Sequence, residues 1–173
     1  KAELARIEKS EEKKRHLLEE AVSNMEKCLE MCMKSVSKGV ALVYNFRVLG
    51  WYHDWFGEIL DQLYSITKDE KVINRAIEVY QGAAQAHQKA GMPSCAAESY
   101  WKAARLYDRR GEYDKAADNF EQASKNYKLV AEKIPQFRCF YEDHRSYMQA
   151  WSEFEKAKLA HQKVQYEESI KHY

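Results

Sequence analysis

The residues of this chain best suited to chemistry are its cysteines and histidines, and Cys28 and Cys32 are the first pair to consider. A spacing of four residues places both side chains on one face of a helix, where two thiolates could form half of a metal site. No second pair of Cys or His residues has ligand spacing, and helix geometry keeps the two Cβ vectors from converging into a disulfide. The spacing therefore favours two small apolar residues on a packing face, and we expect no metal site.

The six histidines match no known pattern for a metal ligand or a catalytic base. Helical bundles bind two irons through Glu-x-x-His motifs, but no glutamate stands three residues before any histidine of this chain. The metalloprotease motif HExxH and the phosphate-binding loops GxxxxGKS/T and GxGxxG are also absent from the sequence. We expect His87 and His161 to pack in a core, because both occupy aromatic positions of a helical repeat. The sequence thus predicts no catalytic residues, no enzyme activity and no cofactor.

Two aromatic clusters could instead form binding surfaces. The denser one runs from Trp51 to Phe56 and includes His53 and Asp54, which could line a ligand pocket or stack nucleic-acid bases. Adjacent residues on a helix do not face each other, and large aromatic side chains are mostly buried, so a core role is favoured. The second cluster, residues 140–145, lies in and beside a stretch predicted to be irregular, where a polar and aromatic surface would be more informative, but a structural role is favoured over a functional one there too.

The composition of the 173 residues predicts a helical chain without a strong charge. Only two prolines and six glycines interrupt long stretches rich in Glu, Lys, Ala, Gln and Leu, which favour helix. The 28 basic and 27 acidic residues give a formal net charge of +1, which argues against nucleic acid or an anionic membrane as a partner. The sequence contains no run of about 18 apolar residues, so membrane insertion is not predicted. The four cysteines suit a reducing compartment, so we expect a cytoplasmic protein.

Internal repetition with a step of twenty residues is the strongest signal in the sequence. Four columns of similar residues recur, and they alternate small and aromatic side chains. The columns are Ala76, Ala96 and Ala116; Tyr80, Tyr100 and Phe120; Ala83, Ala103 and Ala123; and His87, Tyr107 and Tyr127. Offsets of four, three and four residues place each set on one helix face. Alanine lets neighbouring backbones approach while the aromatic residue fills the space between them, so the pattern predicts stacked helices.

Turn and capping residues give the expected bounds of these ladder helices. Gly91 and Gly111 end two of them, residues 67–69 cap the first, and the pair Ile134 and Pro135 closes the third. The predicted ladder helices are 70–89, 93–109 and 112–133. Upstream, the apolar spacing predicts one long helix over 2–36 and a second over 40–66. The second is apolar on more than one face, so we expect it to be central.

Downstream of the ladder, residues 136–143 are expected to be irregular, and a helix is expected to resume near His144. This helix repeats the ladder offsets. The residues at those positions are Ala150, Phe154, Ala157 and His161. A turn at Val164 or Gln165 would then begin a further helix, in which Tyr166, Ser169 and Tyr173 start the next repeat unit.

The segment from Tyr100 to Ala123 resembles the tetratricopeptide repeat signature in residue type and spacing. The matching residues are Tyr100, Ala103, Ala104, Tyr107, Gly111, Tyr113, Ala116, Phe120 and Ala123. Residues 151–173 match in part, and the twenty-residue step is similar to that of the attachment-protein (SNAP) variety. The resemblance implies an all-α, right-handed superhelix of antiparallel hairpins with about seven helices. It also implies an N-terminal helical hairpin, residues 1–66, packing on repeats over 67–173 that are truncated at the C-terminus.

In that family, the first helices of successive repeats line a concave groove that receives a peptide or a partner helix. The residues of this chain at groove positions are Glu98, Trp101, Lys102, Arg105, Asp108 and Arg109 on the full repeat, and Trp151, Phe154, Lys158 and His161 on the partial one. No asparagine stands where some members clamp a C-terminal carboxylate with a Lys/Asn set. The resemblance therefore implies a protein or peptide partner but not the binding of chaperone tails.

Two functions remain open at this point. The first is a non-catalytic interaction scaffold that holds a partner in the groove, with Trp101, Arg105 and Arg109 as anchors. The second is a sensory or autoinhibitory arm of a larger enzyme or regulator, because the chain begins at Lys1 rather than Met and stops inside a helical pattern. The C-terminal repeat would expose its stacking face to solvent. We therefore expect this face to be buried, either by further repeats or by a second copy in a homodimer.

Overall fold

The computed structural model describes the backbone of residues 1–7, 10–37 and 42–171, and the side chains of residues 1–6, 10–34 and 45–164. Within these ranges the chain has seven α-helices, one short 3-10 helix and no strand. The α-helices are α1 (Ala2–Ile7), α2 (Glu11–Ser37), α3 (Leu42–Thr67), α4 (Glu70–Lys89), α5 (Pro93–Arg109), α6 (Tyr113–Lys133) and α7 (Arg138–Lys171). The 3-10 helix is Pro135–Phe137. The all-α class and the number of helices are confirmed.

The helices form two compact units, unit 1 (Lys1–Ser99) and unit 2 (Tyr100–Tyr173). In unit 1, α3 packs against both α2 and α4, so the central position expected for this helix is confirmed. In unit 2, α7 packs along α6. The boundary between residues 66 and 67, which divides an N-terminal hairpin from the repeats, stays a prediction.

The single helix predicted over 2–36 is wrong at its N-terminal end. Ser10 is not helical, and α1 packs against α2 instead of extending it. The reason is burial, because Ala5 is fully enclosed in a cluster with Leu18 and Ala21 of α2 and Ile59 of α3. A continuous helix would have held Ala5 about 20 Å away from Leu18, in solvent.

The ladder helices begin and end almost where the sequence predicts. The bounds of α4 and α5 match the prediction, and α6 begins one residue late, at Tyr113. Asp69 caps α4 by accepting a hydrogen bond from the Lys71 N–H at 2.8 Å. Gly91 and Gly111 have φ values of 71° and 73°, the left-handed conformation that ends a helix at low cost only in glycine.

The ladder residues of α4, α5 and α6 are buried, except for two that are half-buried. The fully or nearly fully buried members are Ala76, Tyr80, Ala83, His87, Ala96, Ala103, Ala116, Phe120, Ala123 and Tyr127. The half-buried members are Tyr100 and Tyr107. The prediction that these columns are packing positions is therefore confirmed.

Helices α3 and α4 approach so closely that rings of one lie against glycines of the other. A Cβ added to Gly50 would lie 2.5 Å from the His87 ring, and one added to Gly57 would lie 2.5 Å from the Tyr80 ring. The contact is reciprocal, because a Cβ on Gly82 of α4 would lie 2.6 Å from the His53 ring of α3. Tyr80 and His87, one from each of the two aromatic ladder columns, thus pack into spaces that only glycine leaves open.

The predictions for α7 are wrong in three respects. In the stretch predicted to be irregular, 136–143, only Gln136 and Phe137 depart from α-helix, and α7 begins at Arg138. No turn occurs at Val164 or Gln165, and the helix continues to Lys171, because neither residue stops a helix as glycine or proline does. The side chains of Tyr166, Ser169 and Tyr173 lie outside the described residues.

The third correction concerns which face of α7 is buried. The residues at the ladder offsets, Ala150, Phe154, Ala157 and His161, are exposed. The face packed on α6 contains Met148, Ser152 and Glu155 instead. Ser152 Oγ donates a hydrogen bond to the Ala117 carbonyl oxygen of α6 at 3.0 Å, which fixes this register. A core role for His161 is therefore wrong.

Substituting Gly57 with alanine tests the close approach of α3 and α4. Helix propensity alone predicts that Gly57→Ala stabilises the protein by up to about 1 kcal/mol. Overlap with the Tyr80 ring predicts the opposite sign, a loss of about 1–3 kcal/mol. We expect the loss, measured by urea unfolding.

A double-mutant cycle provides the control for this substitution. In a Tyr80→Ala background the overlap is removed, so Gly57→Ala should cost far less there than in the wild type. Equal costs in the two backgrounds would contradict the ring-to-glycine packing.

Candidate functional site

Unit 2 contains a concave pocket of about 370 Å³ that brings together half of the residues predicted for the groove. The lining residues are Trp101, Arg105, Asp108, Arg109, Phe120, Tyr147 and Trp151. Five of these seven were predicted from the sequence. Two aromatic walls and two guanidinium groups in one concavity form a surface that can hold an apolar side chain next to an anionic group.

Helical spacing explains why α5 supplies one side of this pocket. Trp101, Arg105 and Asp108 are four and three residues apart, so they share one face of the helix. The opposite face carries the buried Ala103 and Leu106. Because the apolar face of α5 is buried, the polar and aromatic face is directed toward solvent.

Aromatic stacking fixes the other side of the pocket. The Trp151 ring of α7 stacks on the Phe120 ring of α6, with centroids 5.7 Å apart and planes inclined by 19°. Phe120 is almost fully buried, so it forms a firm base for the indole. Tyr147, one turn before Trp151, meets it edge to face at 6.1 Å.

A network of charges at the edge of the pocket holds α5 and α7 together within unit 2. Lys158 Nζ donates hydrogen bonds to Asp108 Oδ1 at 2.6 Å and to Glu155 Oε1 at 2.9 Å. Burial disfavours the charged ammonium, but these two acceptors outweigh that effect and raise the pKa of Lys158. Asp108 is thereby paired, and the guanidinium of Arg105 makes no ion pair with any residue that the structure describes.

Glu155 is the unusual member of this network, because a carboxyl side chain is rarely fully buried. Its side chain is completely enclosed, and its Oε2 atom has no hydrogen-bond partner within the described part of the chain. Burial raises the pKa of the Glu155 carboxyl, and the hydrogen bond from Lys158 offsets this only in part. The geometry of the pocket edge therefore depends on Lys158 keeping both acceptors.

A shallower apolar surface of about 330 Å³ adjoins the pocket on α7 and is lined by Tyr147, Ala150, Trp151 and Phe154. The rings of Trp151 and Phe154 meet edge to face at 5.6 Å. Phe154 is 52% exposed, although it is a large apolar residue. Trp151 thus belongs to both the pocket and this second surface.

The remaining predicted groove residues do not line the pocket. Glu98 is exposed and belongs to unit 1, while Lys102 is half-buried and His161 is exposed near the end of the described side chains. Lys158 acts through its ion pairs rather than by facing the pocket. The pocket adds Phe120 and Tyr147 to the predicted set, and the four-residue spacing of Tyr147 and Trp151 is the signal that could have identified Tyr147.

Unit 1 contains a buried polar group built from the three residue types of a serine hydrolase. His87 Nε2 lies 2.7 Å from Asp54 Oδ2, and the Ser99 hydroxyl donates to Asp54 Oδ1 at 2.8 Å. The carboxylate thus binds both partners, whereas an activated serine needs the histidine as its base. His87 and Ser99 are also inaccessible to a substrate. This group is structural, and the packed, hydrogen-bonded role expected for His87 is confirmed.

The aromatic cluster on α3 is only partly a core feature. Phe56 is fully buried, as expected. Trp51 and Trp55 are 41% and 60% exposed, so a core role is wrong for both indoles. Arg47 covers one of them, with its guanidinium 4.7 Å from the centre of the Trp51 ring.

The described residues include no cluster of three His, Cys, Asp or Glu side chains that could hold a metal ion. Cys28, Cys32 and Cys95 are half-buried and Cys139 is exposed, and all four are free thiols. Burial raises the pKa of both Cys32 and Cys95, which disfavours their reactive thiolate forms. Among the described helices, none has the length and apolar character needed to cross a membrane.

Comparisons of the chain with protein-family models, with curated proteins and with solved structures found no significant match.

The half-buried His53 predicts a loss of stability in acid. Its Nδ1–H donates to the Val79 carbonyl oxygen at 3.1 Å, and burial lowers the pKa of the imidazole below its ordinary value of 6.5. Between the lowered pKa of the folded state and the ordinary pKa of the unfolded state, the unfolded chain binds more protons than the folded one. The free energy of unfolding should therefore fall as the pH drops below 6.5.

This pH effect can be assigned to His53 by comparing two single substitutions. Urea unfolding between pH 7.5 and pH 5 should show a shallower pH dependence in His53→Gln than in the wild type. His16→Gln is the control, because His16 is exposed and should leave the dependence unchanged. A His53→Gln variant with the wild-type dependence would contradict the assignment.

Proposed function

We propose that this chain is a non-catalytic protein-interaction scaffold that binds a partner protein or peptide at the pocket of unit 2. The observation that carries the proposal is the convergence of Trp101, Arg105, Asp108, Arg109 and Trp151 on one concavity. Tryptophan and arginine are the residues that most often dominate the binding energy of protein interfaces. The described residues supply no accessible nucleophile, base and stabiliser in a shared site that would favour an enzyme instead.

The proposal includes a tetratricopeptide-like arrangement of the helices, similar to the SNAP variety and forming a right-handed superhelix. The burial of the ladder columns and the left-handed glycines at the ends of α4 and α5 support it. We also propose that the protein acts in the cytoplasm, which is supported by its four free cysteines.

The pocket favours a partner that offers an apolar side chain beside an acidic one. The indoles of Trp101 and Trp151 provide apolar surface, and desolvating one well-packed anchor of this kind is worth about 2 kcal/mol or more. Arg105 can form a bidentate pair with a carboxylate, since its guanidinium has no ionic partner among the described residues. Asp108 does not oppose such a ligand strongly, because its charge is compensated by Lys158.

Selection of peptides on the wild-type chain, followed by affinity measurements on variants, tests this function. Peptides selected from a displayed random library should lose about tenfold or more in affinity with Trp101→Ala and with Arg105→Ala, which corresponds to about 1.4 kcal/mol each. Circular dichroism would establish that both variants remain folded.

Matched controls come from side chains of the same type outside the pocket. Trp55→Ala removes an exposed indole of unit 1, and Arg138→Ala removes an exposed guanidinium at the start of α7. Neither should alter the affinity of the selected peptides. Peptides that bind the pocket variants and the controls equally well would contradict the assignment of the site.

A further inference from the structure

One ammonium group at the edge of the pocket in unit 2 serves two carboxyl groups. Lys158 Nζ of α7 donates to Asp108 Oδ1 of α5 at 2.6 Å and to Glu155 Oε1 of α7 at 2.9 Å. The same ammonium lies 5.2 Å from the centre of the Tyr113 ring and 4.7 Å from the centre of the Phe154 ring. These contacts fix Lys158 in place, so the two carboxyl groups are held together around one positive charge.

Charge does not balance in this cluster when both carboxyl groups are ionised. Lys158 can compensate only one of the two carboxylates, which leaves an excess of negative charge. Glu155 is completely enclosed, so water screens its charge poorly. A buried carboxylate with incomplete compensation is strongly disfavoured, and the group takes up a proton instead.

The unpaired oxygen of Glu155 is the geometric sign of this proton. Glu155 Oε1 accepts from Lys158, whereas Oε2 is buried and has no hydrogen-bond partner among the described residues. An ionised Oε2 would be a buried acceptor without a donor, which is costly. Protonation turns this oxygen into a donor, and the Asp108 carboxylate is close enough to accept a hydrogen bond from Glu155.

The groups around Glu155 favour the same protonation. Burial is the largest effect that raises the pKa of Glu155, and the charge of Asp108 and the hydrogen bond to it raise this pKa further. Lys158 opposes them, but the pKa stays above its ordinary value of 4.5. Helix α6 packs along α7, and its titratable group beside the cluster is the Tyr113 phenol. No charged side chain in the described part of α6 affects Glu155.

We propose that the cluster of Asp108, Glu155 and Lys158 couples the binding of an anionic ligand side chain in the pocket to the uptake of a proton by Glu155. The proton comes from solvent, which reaches the cluster because the side chains of Asp108 and Lys158 are 34% and 26% exposed. It bonds to Glu155 Oε2, which then donates to Asp108. The inference deepens the proposed function and rests on it.

Asp108 connects the cluster to the pocket, because it lines the pocket together with Arg105 and Arg109. When Glu155 is ionised, Lys158 is shared between two negative charges, and the charge left on Asp108 opposes an anionic ligand. When Glu155 is protonated, Lys158 compensates Asp108 alone, so the positive charge of the arginines dominates the pocket. Unit charges at this range in a partly screened site change an affinity by about tenfold.

Linkage between the two binding events fixes the direction of the pH dependence. A ligand that favours the protonated state of Glu155 must bind more tightly as the pH falls through the pKa of this group. The bound ligand must in turn raise that pKa, because the coupling is reciprocal. A neutral side chain in the same place makes no such demand. Glu155 therefore sets the preference of the pocket for acidic side chains, although it does not touch the ligand.

Affinity measurements at pH 5.5 and pH 8 test the coupling, with selected peptides that carry an acidic residue. These peptides should bind the wild type about tenfold more tightly at pH 5.5. Glu155→Gln should show the tighter affinity at both pH values, because glutamine has the shape of a protonated carboxyl group and cannot ionise. Glu153→Gln is the matched control, since Glu153 is an exposed glutamate of the same helix and should keep the wild-type pH dependence.

Calorimetric titration in two buffers of different ionisation enthalpy measures the proton uptake directly. The wild type should take up protons on binding between pH 5.5 and pH 8, and Glu155→Gln should take up far fewer. A peptide in which the acidic residue is replaced by its amide should cause no uptake by Glu155. Histidines titrate in the same range, so the assignment depends on the difference between the wild type and Glu155→Gln.

Urea unfolding gives a readout that needs no peptide. Because folding raises the pKa of Glu155, the folded chain binds more protons than the unfolded chain between pH 4.5 and the raised pKa. This group therefore lowers the free energy of unfolding as the pH rises through that range, and Glu155→Gln should lack the loss. A Glu155→Gln variant less stable than the wild type at pH 8 would show that Glu155 is ionised in the fold and would overturn the proposal.

Failure of this inference can be distinguished from failure of the proposed function. Peptides that need Trp101 and Arg105 but bind the wild type and Glu155→Gln with the same pH dependence and proton uptake would overturn the coupling alone. Peptides whose binding is unaffected by Trp101→Ala and Arg105→Ala would overturn both.

Discussion

Close approach of helix backbones is the constraint on which unit 1 depends. The His87 and Tyr80 rings of α4 occupy spaces above Gly50 and Gly57 of α3, where an added Cβ would lie 2.5 Å away. This approach brings His87 to within 2.7 Å of Asp54, and the Ser99 hydroxyl completes the binding of the same carboxylate. Packing and hydrogen bonding are therefore coupled in unit 1. If α3 and α4 moved apart, buried polar side chains would lose their hydrogen-bond partners.

Unit 2 uses the same combination of large and small residues but leaves part of it uncovered. The Phe120 ring supports the Trp151 ring, and Ser152 binds the backbone of α6, so one face of α7 is held firmly. The aromatic residues on its other side remain exposed in the described chain. A rigid helix that displays aromatic side chains next to arginines is a preorganised binding surface, because few side chains lose freedom when a partner binds.

The sequence predicts the ladder helices well because their signals are local. Glycines at the left-handed positions and alternating alanine and aromatic columns are visible without tertiary information. The break at Ser10 is not local, since the charged stretch around it favours helix and only the burial of Ala5 decides against continuation. The register of α7 is likewise not a local signal, because its buried face contains Glu155. A hydrophobic pattern would not assign a glutamate to the core, but the hydrogen bond from Lys158 stabilises this carboxyl group there.

The part of the candidate site that could be predicted from the sequence is the part supplied by a single helix. Trp101, Arg105 and Asp108 come together because spacing alone places them on one face of α5. Phe120 joins them only through the packing of α6, which no spacing rule gives, whereas the four-residue spacing from Trp151 could have identified Tyr147. The groove position of Phe154 was predicted, but its exposure beside Trp151 follows from the corrected register of α7.

Hydroxyl-radical footprinting of the aromatic side chains tests most directly the claim that unit 2 presents the interaction surface. The reactivity of each ring would be compared between the free chain and the chain saturated with a selected peptide. Tyr147 and Trp151 should become protected when the peptide is bound, while Trp51 and Trp55, exposed on unit 1, should keep their reactivity. Protection of Trp51 and Trp55 with Tyr147 and Trp151 unchanged would contradict it.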